Sequence, residues 1–152
     1  MTPTSRRRVV VTAVLAAVTT TVATGCSSVD RRAVRDAQLD GAVVEAVVRD
    51  AVERDTGAEP EQIVEAVEQE LSNQGQVRWW ERSSTGGGSA AWQLLVVGSA
   101  EEQGVIGYES VFANLCVEIT LEYTTREVRL TDVDCPEEAD APRDGIDADL
   151  AQ

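Results

Sequence analysis

The chain contains no histidine and no lysine in its 152 residues. Without histidine there is no imidazole to activate a serine or cysteine nucleophile, and no His-ligated zinc. Without lysine there is no Schiff base and no Walker-type phosphate ligand. Positive charge is scarce as well: 13 basic residues, all arginine, stand against 27 acidic ones. Nucleic-acid binding needs a basic footprint, so it is excluded as a function. Carboxylate chemistry survives, but with 27 carboxylates no pair stands out. The run Gly86-Gly87-Gly88 precedes neither a lysine nor a helix pattern, so it is not a phosphate loop. Asp144-Gly145-Ile146-Asp147-Ala148-Asp149 lacks the ligand order and terminal glutamate of an EF-hand loop. No metal and no cofactor is therefore expected.

What is present starts at the N-terminus. Arg6-Arg7-Arg8 leads into the apolar stretch Val9 to Val22, followed by Ala23-Thr24-Gly25-Cys26. The stretch is about fourteen residues long and includes four threonines, whereas spanning a bilayer takes about 20 predominantly apolar residues. A short apolar segment ending in small residues reads as a cleaved signal. The order of basic residues, apolar core, small residues and cysteine resembles a bacterial lipoprotein signal peptide with its lipobox. An ordinary secretory signal with a nearby cysteine is the rival reading, and Ala23 stands where leucine is commonest. The resemblance implies a diacylglyceryl group on the Cys26 thiol and cleavage that makes Cys26 the mature N-terminus. It also implies an extracytoplasmic location on the outer face of the cell membrane. Ser5-Arg6-Arg7-Arg8-Val9-Val10 is similar to a twin-arginine export signal without its phenylalanine, so the export route stays open.

Removal of residues 1–25 leaves 127 residues, enough for one small domain. Residues 26–38 read as a lipidated polar tether whose Arg31, Arg32 and Arg35 lie just past the lipid, or as a first helical turn with ordinary surface arginines. The domain is expected over residues 39–135. Leu39 to Asp55 has helical period, with the rows Val43, Val47, Ala51 and Val44, Val48, Val52 forming a wide apolar stripe. A second helix starts at Pro60 and buries Ile63, Val64, Val67 and Leu71. Gln76 to Arg82 and Ala91 to Gly98 read as strands joined by a flexible loop, and Ser99 to Gly107 as another turn. Val111 to Tyr123 alternates strictly, placing one face on a core and one largely in water. Glu127 to Asp134 returns beside it. The fold class is α+β: an N-terminal helical pair packed on a four-stranded antiparallel β-meander. Residues 136–152 turn acidic and lose their period, which reads as a disordered tail.

A two-residue loop at Thr125-Arg126, or a looser turn of the same register, sets Tyr123 opposite Val128, Leu121 opposite Leu130, Glu122 opposite Arg129 and Cys116 opposite Cys135. Opposed residues share a face, so Cys116 and Cys135 are expected as a structural disulfide, which suits an extracytoplasmic site. Trp79-Trp80 is the most suggestive binding signal. Regular alternation puts Val77 and Trp79 on one face and Arg78, Trp80 and Arg82 on the other. An exposed Trp80 between guanidinium groups would stack on a sugar ring or an anionic envelope component. Alternatively Trp80 packs on neighbours while Arg78 and Arg82 pair with Glu118 or Glu122. Trp92 is expected in the core. Together these features suggest a non-catalytic binding or accessory module for a protein or an envelope polysaccharide, held to the membrane by its lipid. The alternatives are a carrier of small apolar ligands and a carboxylate-dependent hydrolase.

Overall fold

A computed structural model describes residues 28–54, 56–104 and 107–150. The signal segment and Cys26 lie outside the described residues. The α+β class holds, with more structure at both ends than the sequence pattern indicates. Helix α1 runs Ser28–Arg54 and α2 runs Pro60–Asn73. Strands β1 (Val77–Gly86), β2 (Ser89–Gly104), β3 (Gly107–Glu122) and β4 (Glu127–Asp132) form the antiparallel meander β1-β2-β3-β4. A fifth strand, β5 (Ile146–Ala148), pairs with β3 in parallel, so the sheet is five-stranded and mixed.

The tether reading of residues 26–38 is corrected over its described part, because α1 already begins at Ser28. Val29, Ala33, Ala37 and Gly41 recur every four residues and are buried, continuing into Val44, Val48 and Val52. The residues of the first half are small, which lets the helix lie unusually close to the sheet. A Cβ added at Gly98 of β2 would collide with the backbone of Ala37 and Ala33. The stripe is also narrower than expected, since Val43 faces outward and Leu39 is exposed. Helix α2 matches expectation, with Ile63, Val64, Val67 and Leu71 buried. Its start is set by Pro60 and by the Glu59 backbone N–H donating to Gln62 Oε1 at 2.9 Å.

The two central strands are longer than the sequence pattern suggests. Past an irregularity between Arg82 and Ser84, Ser84 to Gly86 pairs with Ser89 to Ala91. This is made possible by Gly87 and Gly88, whose φ of 65° and 97° close a two-residue turn that glycine adopts at little cost. The segment read as a flexible loop is therefore a hairpin. Likewise Ser99 to Gly104 is not a turn but continues pairing with β3 out to Gly104 opposite Gly107. Ala100 and Val111, opposed on the helix side, pack against the core and give this ribbon its apolar contact.

The β3–β4 register is displaced by two residues from the expected one: Leu121 opposes Val128 and Ile119 opposes Leu130. An even displacement keeps every side chain on its expected face. Its cause is the four-residue connection 123–126, in which Arg126 takes a left-handed φ of 55°. Arg126 donates to the Val52 and Thr56 carbonyls, both at 2.8 Å, tying the connection to the end of α1. Glu122 consequently faces Glu127, and Arg129 turns along its own strand to Glu127 at 2.8 Å. Cys135 lies past the end of the ladder yet still reaches Cys116. The disulfide has a Cα–Cα distance of 5.2 Å.

The acidic segment 136–152 is likewise corrected, in that its described residues are ordered. A 3₁₀ turn at Glu137–Ala139 lays Ala139 against Cys116 and Leu95 on the sheet face opposite the helices. Beyond it Ala148 is buried, Gln38 donates to the Asp149 carbonyl at 2.8 Å, and Leu150 N–H donates to Asp132 at 2.7 Å. The outer face is thus partly covered rather than left to water. The disulfide holds the strap that covers it.

Gly98→Ala should lower stability by about 3 kcal/mol, the upper end for overpacking, because the obstructing atoms are backbone. Urea unfolding of the variant beside the parent measures this.

Candidate functional site

A cleft of about 530 Å³ opens between α2 and the hairpin end of β1. Its helix wall carries Pro60, Glu61, Val64, Glu65 and Glu68, and its strand wall Arg82, Thr85 and Gly86, with Tyr123 at the close of β3 completing it. The local sequence explains the placement. Helix α2 buries Val64, Val67 and Leu71. The acidic row at 61, 65 and 68, one helical face around from these, therefore lies along the cleft.

Glu68 fastens the two walls together. One of its carboxylate oxygens accepts the Arg82 Nε–H at 2.6 Å and the Trp92 indole N–H at 3.0 Å. Trp92 is fully buried, so its indole needs this acceptor. Arg82 is thereby matched in charge, whereas Glu61 and Glu65 make no hydrogen bond or ion pair among the described residues. Burial raises the pKa of the Tyr123 hydroxyl, opposed by Arg82 and assisted by Glu61. Its backbone N–H donates to the Gly88 carbonyl at 2.9 Å and holds the glycine turn against the cleft. The result is a concave site with an apolar floor, one phenol and an excess of negative charge on its helix side.

Of the residues singled out from sequence, Arg82 belongs to this site while Arg78 and Trp80 are not among its lining residues. The ladder is irregular between Val77 and Trp79, which oppose Val96 and Leu95. The extra residue reverses the alternation. Trp80 packs half-buried against the helix-side core, and Trp79 instead joins Leu95 and Cys116 on the outer face. Arg78 is exposed. The expected outward triad of Arg78, Trp80 and Arg82 is therefore not assembled, and Arg82 pairs with Glu68 rather than with Glu118 or Glu122. Sequence reading missed Glu61, Glu65, Glu68 and Tyr123. Their signal was the acidic row beside the apolar stripe of α2, indistinguishable by itself from a solvated face.

The outer face holds a second groove of about 550 Å³, lined by Glu118, Glu122 and Glu127 among others. Glu122 and Glu127 oppose each other there. The hydrogen bond and charge of Arg129 hold the Glu127 carboxyl below the usual range. That keeps Glu127 ionised, the opposite of what a general acid requires. Among the described residues no group of three or more cysteine, aspartate or glutamate side chains is placed to hold a metal ion.

Glu68→Ala should cost about 3 kcal/mol, since it leaves a buried indole N–H without an acceptor and removes a charge-assisted bond. Glu68→Gln, which retains an acceptor, should cost about 1 kcal/mol. A lower urea midpoint at unchanged slope is the expected reading.

The sequence matches no protein-family model, no curated protein and no solved structure.

Proposed function

We propose that this chain is a non-catalytic binding lipoprotein, anchored through Cys26 outside the cell membrane, that grips a cationic segment of a partner protein in the cleft between α2 and β1. The observation that carries this reading is the pairing of concavity with uncommitted charge. The cleft volume of about 530 Å³ falls in the range of ligand sites. Its internal cation, Arg82, is already matched by Glu68, leaving Glu61 and Glu65 for an incoming positive group. Tyr123 adds an aromatic surface on which a guanidinium or ammonium stem packs. The exposed carboxylates favour a protein partner with basic side chains over a neutral envelope polysaccharide.

A hydrolase gains little support from the same cleft. Its three glutamates come from one helix, and Glu68 is committed to Arg82 and Trp92. A carrier of small ligands draws support from the cleft's size, but an apolar cargo would leave Glu61 and Glu65 facing it without compensation.

The test is calorimetric titration of the mature chain with short arginine-rich peptides beside neutral peptides of equal length. Binding of the basic peptides alone is expected, weakening with salt. Glu61→Gln combined with Glu65→Gln should weaken it roughly fivefold, as expected for two exposed charge pairs. Equal affinity for neutral peptides, or no effect of the double variant, would sink this reading.

A further inference from the structure

We propose that the ribbon formed by the far ends of β2 and β3 rests on the bilayer, with Tyr108 and Phe112 seated in its interfacial zone. This contact would be a second membrane signal beside the lipid, and it rests on the Cys26 anchoring proposed above.

The first observation is the length of chain between lipid and fold. Helix α1 begins at Ser28, two residues after Cys26. Two residues reach about 7 Å at most, so the first turn of α1 is held at the headgroups. No stretch of chain is left over to lift the domain away.

The second observation is what stands beside that turn. Asp36 accepts the Ser99 backbone N–H at 3.0 Å, and Arg32 donates to the Glu101 carbonyl at 3.1 Å. Moving toward the start of α1 therefore means moving toward the end of β2. Ser28 lies four residues before Arg32, about 6 Å along the helix. Gln103, opposite Tyr108, lies two residues beyond Glu101, about 7 Å along the strand. Tyr108 thus lies at the same end of the molecule as the first turn of α1.

The third observation is the chemistry of that end. Tyr108 is 74% exposed and Phe112, the chain's single phenylalanine, is 40% exposed. Both lie on the face of β3 away from the helices, with Ser110 between them. Their cross-strand neighbours are Gln103, Glu101 and Ser99, so Glu101 brings the one charge among these positions. Amphipathic rings favour the headgroup boundary, and a single lipid anchor gains from a second contact. Arg31 and Arg35, exposed on the first turns of α1, add attraction to anionic headgroups of about 1 kcal/mol each.

The lipidated protein is incorporated into vesicles of phosphatidylcholine and phosphatidylglycerol carrying brominated acyl chains, and tryptophan emission is read for the parent, Tyr108→Trp and Thr125→Trp. Thr125 lies at the other end of the molecule, in the β3–β4 connection. Bromolipid is expected to quench the emission added by Tyr108→Trp and to leave that added by Thr125→Trp unchanged. Flotation with the vesicles but no quenching at Tyr108→Trp would overturn the ribbon contact and leave the anchor standing. A parent protein that fails to float would overturn both.

Discussion

The contact between the first half of α1 and strand β2 is the constraint on which the rest of the molecule depends. Ala33 and Ala37 bring the helix backbone against Gly98 so closely that no side chain fits between them. That proximity turns the first turns of α1, which carry little apolar bulk, into a well-packed part of the domain. Large apolar side chains would bury more surface per residue, but they would hold the helix farther from the sheet. Here dispersion contacts between close backbones substitute for side-chain bulk. The second half of α1 uses valines in the ordinary way, with Val44, Val48 and Val52 over the core strands.

The same contact gives the whole molecule a direction. Helix α1 has 27 residues, or about 40 Å of rise. Its start stands by the ends of β2 and β3 at Gly104 and Gly107, while its end is bound by Arg126 and leads into α2. The cleft formed by α2, the glycine hairpin and Tyr123 therefore sits at the opposite end from Ser28 at the start of α1. Under the proposed anchoring, the lipid and the ribbon occupy the membrane side, and the acidic cleft points into the surrounding space. The surplus of carboxylates then serves two ends: repulsion from anionic headgroups keeps the body upright, and the cleft retains its negative field for a basic partner.

Much of the fold is legible in residue order. Strict alternation from Val111 to Tyr123 identifies the central strand and its buried face, and the period of α2 identifies its inward residues. The disulfide is legible because the two cysteines fall on one face of a hairpin, although the register is displaced by two. That displacement comes from Arg126, whose side chain binds the end of α1 and whose backbone takes a left-handed conformation. Neither is signalled by the local sequence. The early part of α1 is ambiguous because Ala33, Ala37 and Gly41 give weak periodicity until the facing Gly98 is known. The site is least legible. An irregularity after Val77 reverses Trp79 and Trp80, separating Trp80 from the outward position that alternation implies. The carboxylates of α2 acquire meaning only once Arg82 and Trp92 are seen to engage Glu68 and not Glu61 or Glu65. The order of the tail escapes a sequence reading because two buried alanines, Ala139 and Ala148, are too sparse to produce a pattern among acids.

The central claim is that the folded domain begins at Ser28, directly after the anchor proposed at Cys26, with no free tether between them. Hydrogen–deuterium exchange of the amides from Ala33 to Gln38 in the lipidated protein tests it most directly. Protection approaching that of Val44 to Val52 is the predicted result, since both halves of α1 pack on the same sheet. Exchange at the rate of unstructured chain across Ala33 to Gln38, with Val44 to Val52 still protected, would contradict it and restore a flexible tether between lipid and domain.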